Sequence, residues 1–268
     1  VGTPTWPNHV PVVQAAELTI AEYHYYDRLE RRIRFDPMMA ALSGANRGDV
    51  VLLHGCCHNP TGADLVENQW RDVIEVVGRR GLIPFVDIAY QGLGRGFAED
   101  AAGLHGLLDA CDEVVIAQSC DKNFGVYRDR VGSLFVKTAR AEGTKRAMAH
   151  VVQIAREMWS MPPDHGAAAV RIVLETPVLR ADWDLEVGEM RDRINQMRER
   201  IATADTRLSY IGGQFGMFSM LPVTPEQVRD LRERHAIYMA DSGRFNVIGM
   251  ADHAVDRFIA AVVETMNG

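Results

Sequence analysis

Short apolar runs alternate with amphipathic segments through the first half of the chain. The run Val-Val-Leu-Leu at residues 50–53 is continuous, which is typical of a strand in a parallel sheet covered on both faces. After it, apolar residues recur at helical spacing through residues 67–80. This strand–helix alternation predicts an α/β fold with a mostly parallel sheet. Strands are predicted at residues 49–54, 82–87, 113–117 and 131–136, and helices at 36–48, 67–80 and 101–110.

Helical spacing dominates the second half of the chain, where residues 180–204 form one long amphipathic pattern. We place a domain change near the start of this segment. Residues 1–179 would then form a large domain, and residues 180–268 a smaller α+β domain. Further helices are predicted at residues 144–158, 166–174, 224–235 and 252–266, with short strands at 19–23, 216–220, 237–239 and 246–248.

The charge balance of the chain is acidic. Lys and Arg number 29 against 36 Asp and Glu, so the formal net charge is -7. This surplus gives no electrostatic support for binding nucleic acid or an anionic membrane. No apolar run approaches the roughly 20 residues that a membrane-spanning helix needs. We therefore expect neither nucleic acid nor a membrane as a partner.

Cysteine and histidine spacing indicates neither a disulfide framework nor a metal site. Cys56 and Cys57 are adjacent and no CxxC motif occurs, so we expect buried thiols in a reducing cytoplasm. His54 and His58 match a His-x-x-x-His pattern. That pattern needs a helix to bring both rings to one face, whereas here it spans a strand end and a turn. No metal is predicted.

The residues with the clearest chemistry follow the apolar run at residues 114–117. Ser119, Lys122 and Arg130 come just after this predicted strand, where open α/β sheets bind their ligands. Partial burial would lower the pKa of such a lysine and free its amine for Schiff-base chemistry. Ser119 and Arg130 can converge on a phosphate. A pyridoxal phosphate site needs these groups, although a solvated basic loop would carry the same residues.

Four ordered motifs resemble one enzyme family. Ser-x-x-Lys-Asn-Phe-Gly-x-Tyr-x-x-Arg-Val-Gly at residues 119–132 is similar to the lysine segment of class I aminotransferases, the aspartate and aromatic amino acid aminotransferase family. Pro-Thr-Trp-Pro-Asn-His at 4–9, His-Asn-Pro-Thr-Gly at 58–62 and Ser-Gly-Arg-Phe-Asn at 242–246 match further blocks in order. The resemblance covers essentially the whole chain. It implies the type I fold of pyridoxal-phosphate-dependent transferases, with helices flanking the sheet and a C-terminal α+β domain.

The resemblance also implies how a cofactor is held. Lys122 would carry it and then move the reacting proton as general base and acid. Asp87 would pair with the protonated pyridine nitrogen, and His9 and His54 would hold that carboxylate from behind. The implied cofactor-binding residues are Trp6, which stacks on the ring, Asn59 and Tyr90, which bond its 3-oxygen, and His9, His54, Asp87, Ser119, Lys122 and Arg130. Taken alone, Asp87 could cap a segment, Asn59 could belong to a plain turn, and Trp6 could be a core residue.

Two arginines are similar to the substrate-binding arginines of the family. Arg244 would clamp the substrate α-carboxylate with its planar fork, and Trp6 and Asn59 would line the same subsite. Arg156 would bind a distal carboxylate across a homodimer interface. Either arginine could instead be a surface residue. Met161 stands where aspartate-specific members tend to carry asparagine, which favours an aromatic substrate.

Asp121 departs from the family pattern. It stands directly before the lysine, where the family has a small residue, often a serine that donates to the phosphate. A carboxylate there would repel a phosphate dianion unless it turned away or were protonated. This departure puts one phosphate contact in question without affecting the role of the lysine.

The activity implied is that of a homodimeric, cytoplasmic aminotransferase. It would move an amino group from an aromatic or dicarboxylic L-amino acid to a 2-oxo acid such as 2-oxoglutarate. The alternatives are a strict aspartate aminotransferase, another pyridoxal phosphate reaction such as β-elimination, and a chain that binds the cofactor weakly without turnover. The last arises because the sequence begins at Val1 inside a family motif, so we expect a fragment or an incomplete chain.

Overall fold

Four strands near the middle of the chain form the sheet on which the rest of the fold is built. The computed structural model describes residues 1–267. The strands are β1 Gly2–Thr3, β2 Tyr23–His24, β3 Tyr26–Asp27, β4 Arg32–Ile33, β5 Val50–His54, β6 Ile83–Ile88, β7 Val114–Ser119, β8 Gly132–Lys137, β9 Phe218–Met220 and β10 Arg244–Asn246. The helices are α1 His9–Ala15, α2 Phe35–Gly44, α3 Glu67–Arg80, α4 Phe97–Asp100, α5 Ala102–Ala110, α6 Ala141–Trp159, α7 His165–Glu175, α8 Pro177–Ala204, α9 Pro225–His235 and α10 Val255–Thr265. Two 3₁₀-helices span Thr206–Gly213 and Asp252–Ala254.

The central sheet has the strand order β5-β6-β7-β8. The first three strands are parallel, and β8 runs antiparallel beside β7. The prediction of a mostly parallel sheet is therefore confirmed. The register pairs His54 with Asp87 and Asp87 with Ala117. Because parallel strands end at the same edge, polar residues at these positions meet at one side of the sheet.

Helices α2, α3 and α5 cover this sheet and bury its apolar side chains. Val73 and Val77 of α3 and Leu107 of α5 are fully buried in the same cluster as Val86 of β6. The helical spacing of α3 predicted this buried face. The helix ends where Gly81 takes the left-handed conformation, at φ 64°, which glycine adopts without a steric cost.

A second apolar core lies in the C-terminal part of the chain. It includes Met197 and Ile201 of α8 together with residues of α9 and α10. The N-terminal half of α8 instead packs on the sheet core through Val187 and Ile194. One helix thus contributes to both cores, with the change between Ile194 and Met197. The predicted domain boundary at residues 179 and 180 stays a prediction.

Three short strands are placed differently from the predictions. Residues 19–22 and 237–239 lie in no strand, and the strand expected at 246–248 is Arg244–Asn246. The physical reason is the pairing with β9, in which Arg244 lies opposite Met220. Arg244 consequently projects from a paired strand and not from a loop. Among residues 1–267, no helix is long and apolar enough to cross a membrane.

Candidate active site

The carboxyl ends of β5, β6 and β7 border a cavity of about 380 Å³. Its volume lies within the roughly 300–1,000 Å³ common for small-molecule sites. All the predicted site residues except His9 and Arg156 line it. The lining residues are Trp6, His54, Cys56, Asn59, Asp87, Ala89, Tyr90, Ser119, Asp121, Lys122, Tyr127, Arg130, Phe218 and Arg244.

Lys122 follows the end of β7, in a segment whose neighbouring residues are fixed. The side-chain amide of Asn123 donates to the Gln91 carbonyl at 3.1 Å, and the Trp183 indole donates to the Asn123 carbonyl at 2.7 Å. The Lys122 ammonium lies 5.2 Å from the centre of the Tyr90 ring. Burial lowers the pKa of the Lys122 amine. A larger fraction of this amine is consequently neutral and nucleophilic than in a solvated lysine.

Asp87 is the second-last residue of β6. Its carboxylate is held by a chain of polar groups. His9 Nε2 lies 2.9 Å from Asp87 Oδ2, and His9 Nδ1 lies 2.7 Å from the Thr5 hydroxyl. The His54 ring packs against His9, with centroids 5.1 Å apart. Burial moves the pKa of His54 well below its ordinary value, so this ring is neutral. The predicted placement of both histidines beside Asp87 is what the geometry shows.

A second polar chain runs from Tyr90 to Arg244. The Asn59 amide donates to the Tyr90 hydroxyl at 3.4 Å, and Arg244 Nη1 donates to Asn59 Oδ1 at 3.4 Å. The Arg244 guanidinium also lies 5.1 Å from the centre of the Phe218 ring. Burial raises the pKa of Tyr90 to about 12, so its hydroxyl remains a proton donor at neutral pH. Asn59 thus links Tyr90, which lies beside Lys122, to Arg244, which is predicted to bind a carboxylate.

Ser119, Asp121 and Arg130 form the third side of the cavity. The Asp121 backbone N–H donates to the Ser119 hydroxyl at 3.1 Å. Arg130 Nη1 donates to the Asp121 carboxylate and to the Tyr127 carbonyl, the latter at 2.8 Å. The Asp121 side chain is only 3% exposed, whereas that of Arg130 is 74% exposed. The buried carboxylate therefore pairs with the arginine that was predicted to bind the phosphate.

Arg156 and Met161 lie outside this cavity. Arg156 is exposed on α6, a helix with no buried residue, and the Met161 side chain, just beyond the helix, is 77% exposed. Their predicted roles at the distal end of the substrate therefore stay predictions. Because α6 contributes nothing to the cavity of its own chain, such roles need a second chain beside it.

Several lining residues were not predicted as site residues. Phe218 lies under Arg244, and its position depends on β9, which was predicted as a strand without any chemistry attached. Tyr127 belongs to the lysine motif, but its phenol gave no distinctive pattern. Cys56 follows β5 and was assigned only to the core. Their place in the cavity comes from tertiary packing and not from any local sequence pattern.

His9, His54 and Asp87 also form a cluster with metal-ligand chemistry. Their donor atoms all lie within 4.8 Å of one another. Asp87 Oδ2 and His9 Nε2 are bonded to each other, and a metal would have to break this pair. We interpret the cluster as a hydrogen-bonded support for the Asp87 carboxylate. The expected lack of a metal stays a prediction.

The chain is similar to solved structures of aminotransferases. A solved aromatic-amino-acid aminotransferase from Burkholderia pseudomallei, covalently bound to pyridoxal phosphate, matches with a TM-score of 0.94 at 40% identity, over 98% of this chain and 68% of that one. The tyrosine aminotransferase of Rhizobium meliloti is 46% identical over 93% of this chain and 65% of its own length. The aspartate aminotransferase of Salmonella typhi is 41% identical over 99% and 69%. These matches confirm the predicted type I fold.

The family follows from the sequence match. The family model for aminotransferase class I and II matches residues 1–262. The chain therefore belongs to the class I and II aminotransferases, as the four motifs predicted. It spans about two thirds of the length of the curated relatives it matches, from 65% to 69% of the two named above.

Proposed function

We propose that this cavity binds pyridoxal phosphate and transfers an amino group between an aromatic or dicarboxylic L-amino acid and a 2-oxo acid. The observation that carries the proposal is the convergence of Lys122, Asp87 and Arg244 on one cavity. Transamination needs a nucleophilic amine, a fixed carboxylate and a fork that binds carboxylates. The names of the relatives, which include tyrosine and aspartate aminotransferases, support this reaction class.

The residues present fit the proposed cofactor. His9 holds Asp87 in place to pair with a pyridine nitrogen. Tyr90 and Asn59 are buried donors suited to a phenolic oxygen, and Ser119 and Arg130 lie together for a phosphate. When bound, pyridoxal phosphate supplies a ring that takes up the electron pair released at the substrate α-carbon.

Lys122 is the group that moves the reacting proton. Its lowered pKa favours the neutral amine, which can accept the proton from the substrate α-carbon and deliver it to the aldehyde-derived carbon of the cofactor. The Tyr90 ring beside it limits the positions that the amine can reach. Asp87 supports the same step through its negative charge, because a carboxylate keeps a nearby ring nitrogen protonated.

Arg244 sets the orientation of the substrate. Its hydrogen bond to Asn59 and its position over Phe218 fix the guanidinium beside the cavity, where it can bind the substrate α-carboxylate. Trp6 is 39% exposed at the mouth of the cavity, in position to cover a bound ring. Fixing the substrate carboxylate and the cofactor ring relative to Lys122 lowers the entropic part of the barrier.

The substrate range extends the proposal to a second chain. Arg156 is exposed outside the cavity of its own chain, so we propose a homodimer in which each chain lends Arg156 to the other's site. The distal carboxylate of aspartate or glutamate would pair with it. An aromatic side chain would need the arginine to move aside, since an unpaired buried guanidinium is costly.

The test measures the first half of the reaction, in which the amino acid donor passes its amino group to the cofactor. The protein is mixed with cofactor and donor but no 2-oxo acid, and the change in cofactor absorbance is followed. Lys122→Ala should abolish it for both L-phenylalanine and L-aspartate. Arg156→Leu should slow it about 30-fold or more with L-aspartate, roughly 2 kcal/mol, and leave L-phenylalanine nearly unchanged. Arg146→Leu removes another exposed arginine of α6 and serves as the matched control.

Mixing the two variants tests the proposed dimer. A mixed dimer has one site with Lys122 of one chain and Arg156 of the other, so an equal mixture should regain part of the aspartate activity. No recovery, or equal losses with both donors in Arg156→Leu, would refute the role of Arg156. Conversion of the cofactor by either donor in Lys122→Ala, at a rate close to that of the unmodified protein, would refute the proposed reaction.

A further inference from the structure

The phosphate end of the cavity holds a charge pair within the protein itself. The Asp121 carboxylate is bonded to Arg130 Nη1, and its other oxygen accepts the Val131 backbone N–H at 3.2 Å. Arg130 Nη1 also donates to the Tyr127 carbonyl. Both hydrogens of that nitrogen thus have acceptors. The buried Asp121 carboxylate thus occupies one guanidinium nitrogen of Arg130, the arginine assigned to the cofactor phosphate.

This pairing changes both the hydrogen-bond donors and the net charge that a phosphate would encounter. Arg130 retains Nε and Nη2 as further donors, and the Ser119 hydroxyl, which accepts from the Asp121 N–H, retains its own hydrogen to donate. The hydrogen bonds available to a phosphate are therefore reduced but not lost. The net charge of the Arg130–Asp121 pair, however, is zero. A phosphate dianion would approach a neutral pair and not a free cation.

We propose that Asp121 is an internal counterion that weakens the grip of this site on the cofactor phosphate. The proposal rests on the proposed pyridoxal phosphate site. Asp121 could instead strengthen binding by holding Arg130 in place. The Tyr127 carbonyl already anchors the same Nη1 nitrogen, so this positioning does not depend on Asp121. Repulsion between a buried carboxylate and a phosphate dianion then outweighs the positioning, and the cofactor is held more loosely than with a neutral residue at position 121.

The experiment compares pyridoxal phosphate with pyridoxal, which lacks the phosphate. Dissociation constants of both are measured by equilibrium dialysis and by absorbance. Asp121→Asn keeps the shape and the acceptor for the Val131 N–H, and Asp121→Ser supplies a smaller neutral residue. Both should tighten pyridoxal phosphate about tenfold or more and leave pyridoxal within about twofold, as expected for one unit charge near a dianion.

Asp129→Asn is the matched control. It removes the same charge from the same loop, but Asp129 faces His165 at 3.2 Å and not Arg130. It should leave the ratio of the two dissociation constants nearly unchanged. Thermal unfolding of each variant identifies any loss of fold, and the two substitutions at Asp121 guard against one of them failing to fold.

The outcomes separate the two proposals. An unchanged or weakened preference for pyridoxal phosphate over pyridoxal in folded Asp121→Asn and Asp121→Ser would overturn the counterion role alone. A shift of the same size in Asp129→Asn would also overturn it, because the effect would be one of overall charge. If neither compound binds in a way that Lys122→Ala abolishes, the proposed cofactor site itself fails, and the counterion role falls with it.

Discussion

At the scale of single residues, the environment of Lys122 sets it apart from the other lysines. The chain has only two others, Lys137 and Lys145. Lys137 donates to the Leu108 carbonyl, whereas Lys145 is exposed on α6. Lys122 combines partial burial with a lowered pKa, and of the three lysines it is the one that lines the cavity. This combination, more than the presence of a lysine, is what makes a nucleophile at neutral pH.

The lowered pKa of Lys122 predicts a distinctive pH dependence of its reactivity. A lowered pKa means that the amine loses its proton at a lower pH, so its nucleophilic form becomes common earlier as the pH rises. In cofactor-free protein, a small amine-reactive reagent should therefore modify Lys122 at a lower pH than Lys145. Peptide mass spectrometry after short exposures at a series of pH values measures this. Coincident pH profiles for the two lysines would contradict the role of burial.

At the scale of elements, one buried cation on helix α8 holds strand β9, which carries the Phe218 side chain that lines the cavity. Arg198 of α8 is 1% exposed. It donates to the Gly216 carbonyl at 2.7 Å and to the Phe218 carbonyl at 2.6 Å. Gly62 packs close to this group, since an added Cβ would lie 2.5 Å from the Phe218 carbonyl. The turn that carries Asn59 and the strand that carries Phe218 are thereby held together.

Replacing Arg198 should destabilise this junction. Arg198→Met keeps much of the volume but leaves the buried carbonyl of residue 216 and the partly buried carbonyl of residue 218 without this donor. We expect a loss of about 3 kcal/mol in the free energy of unfolding, measured by urea denaturation. Arg200 lies on the same helix, and its side chain is 41% exposed. Arg200→Met should therefore change the free energy of unfolding by less than about 1 kcal/mol. Equal effects of the two substitutions would contradict this account of Arg198.

Local patterns predicted the elements that carry their own periodicity. Strands β5, β6 and β7 and helix α3 were found because their apolar residues are continuous or helically spaced. The strand around Arg244 was misplaced, because its bounds depend on pairing with Met220, which is distant in sequence. The site residues followed from motifs, whereas the bond between Asp121 and Arg130 depends on how the loop folds back after Gly125. Local spacing carries no information about that return.

At the scale of the whole molecule, the cavity depends on both apolar cores. Asp87 lies on β6 and Lys122 just beyond the end of β7, both at the central sheet, whereas Arg244 lies on β10, beside the second core. Helix α8 contributes to both cores and fixes their relation at Ile194 and Met197. Arg244 and Lys122, the proposed substrate arginine and the proposed reacting lysine, are therefore positioned by different parts of the molecule. Helix α6 carries Arg156 and buries none of its residues, and in the proposed homodimer it would complete the site of the other chain.

The most direct test of the central claim is to locate the amine that holds the cofactor. The protein is incubated with pyridoxal phosphate, treated with borohydride to fix the cofactor to any amine that carries it, and mapped by peptide mass spectrometry. We predict a label at Lys122 alone, lost when L-phenylalanine or L-aspartate is added first. Equal labelling of Lys137 or Lys145, or a label at Lys122 that neither amino acid removes, would contradict the account.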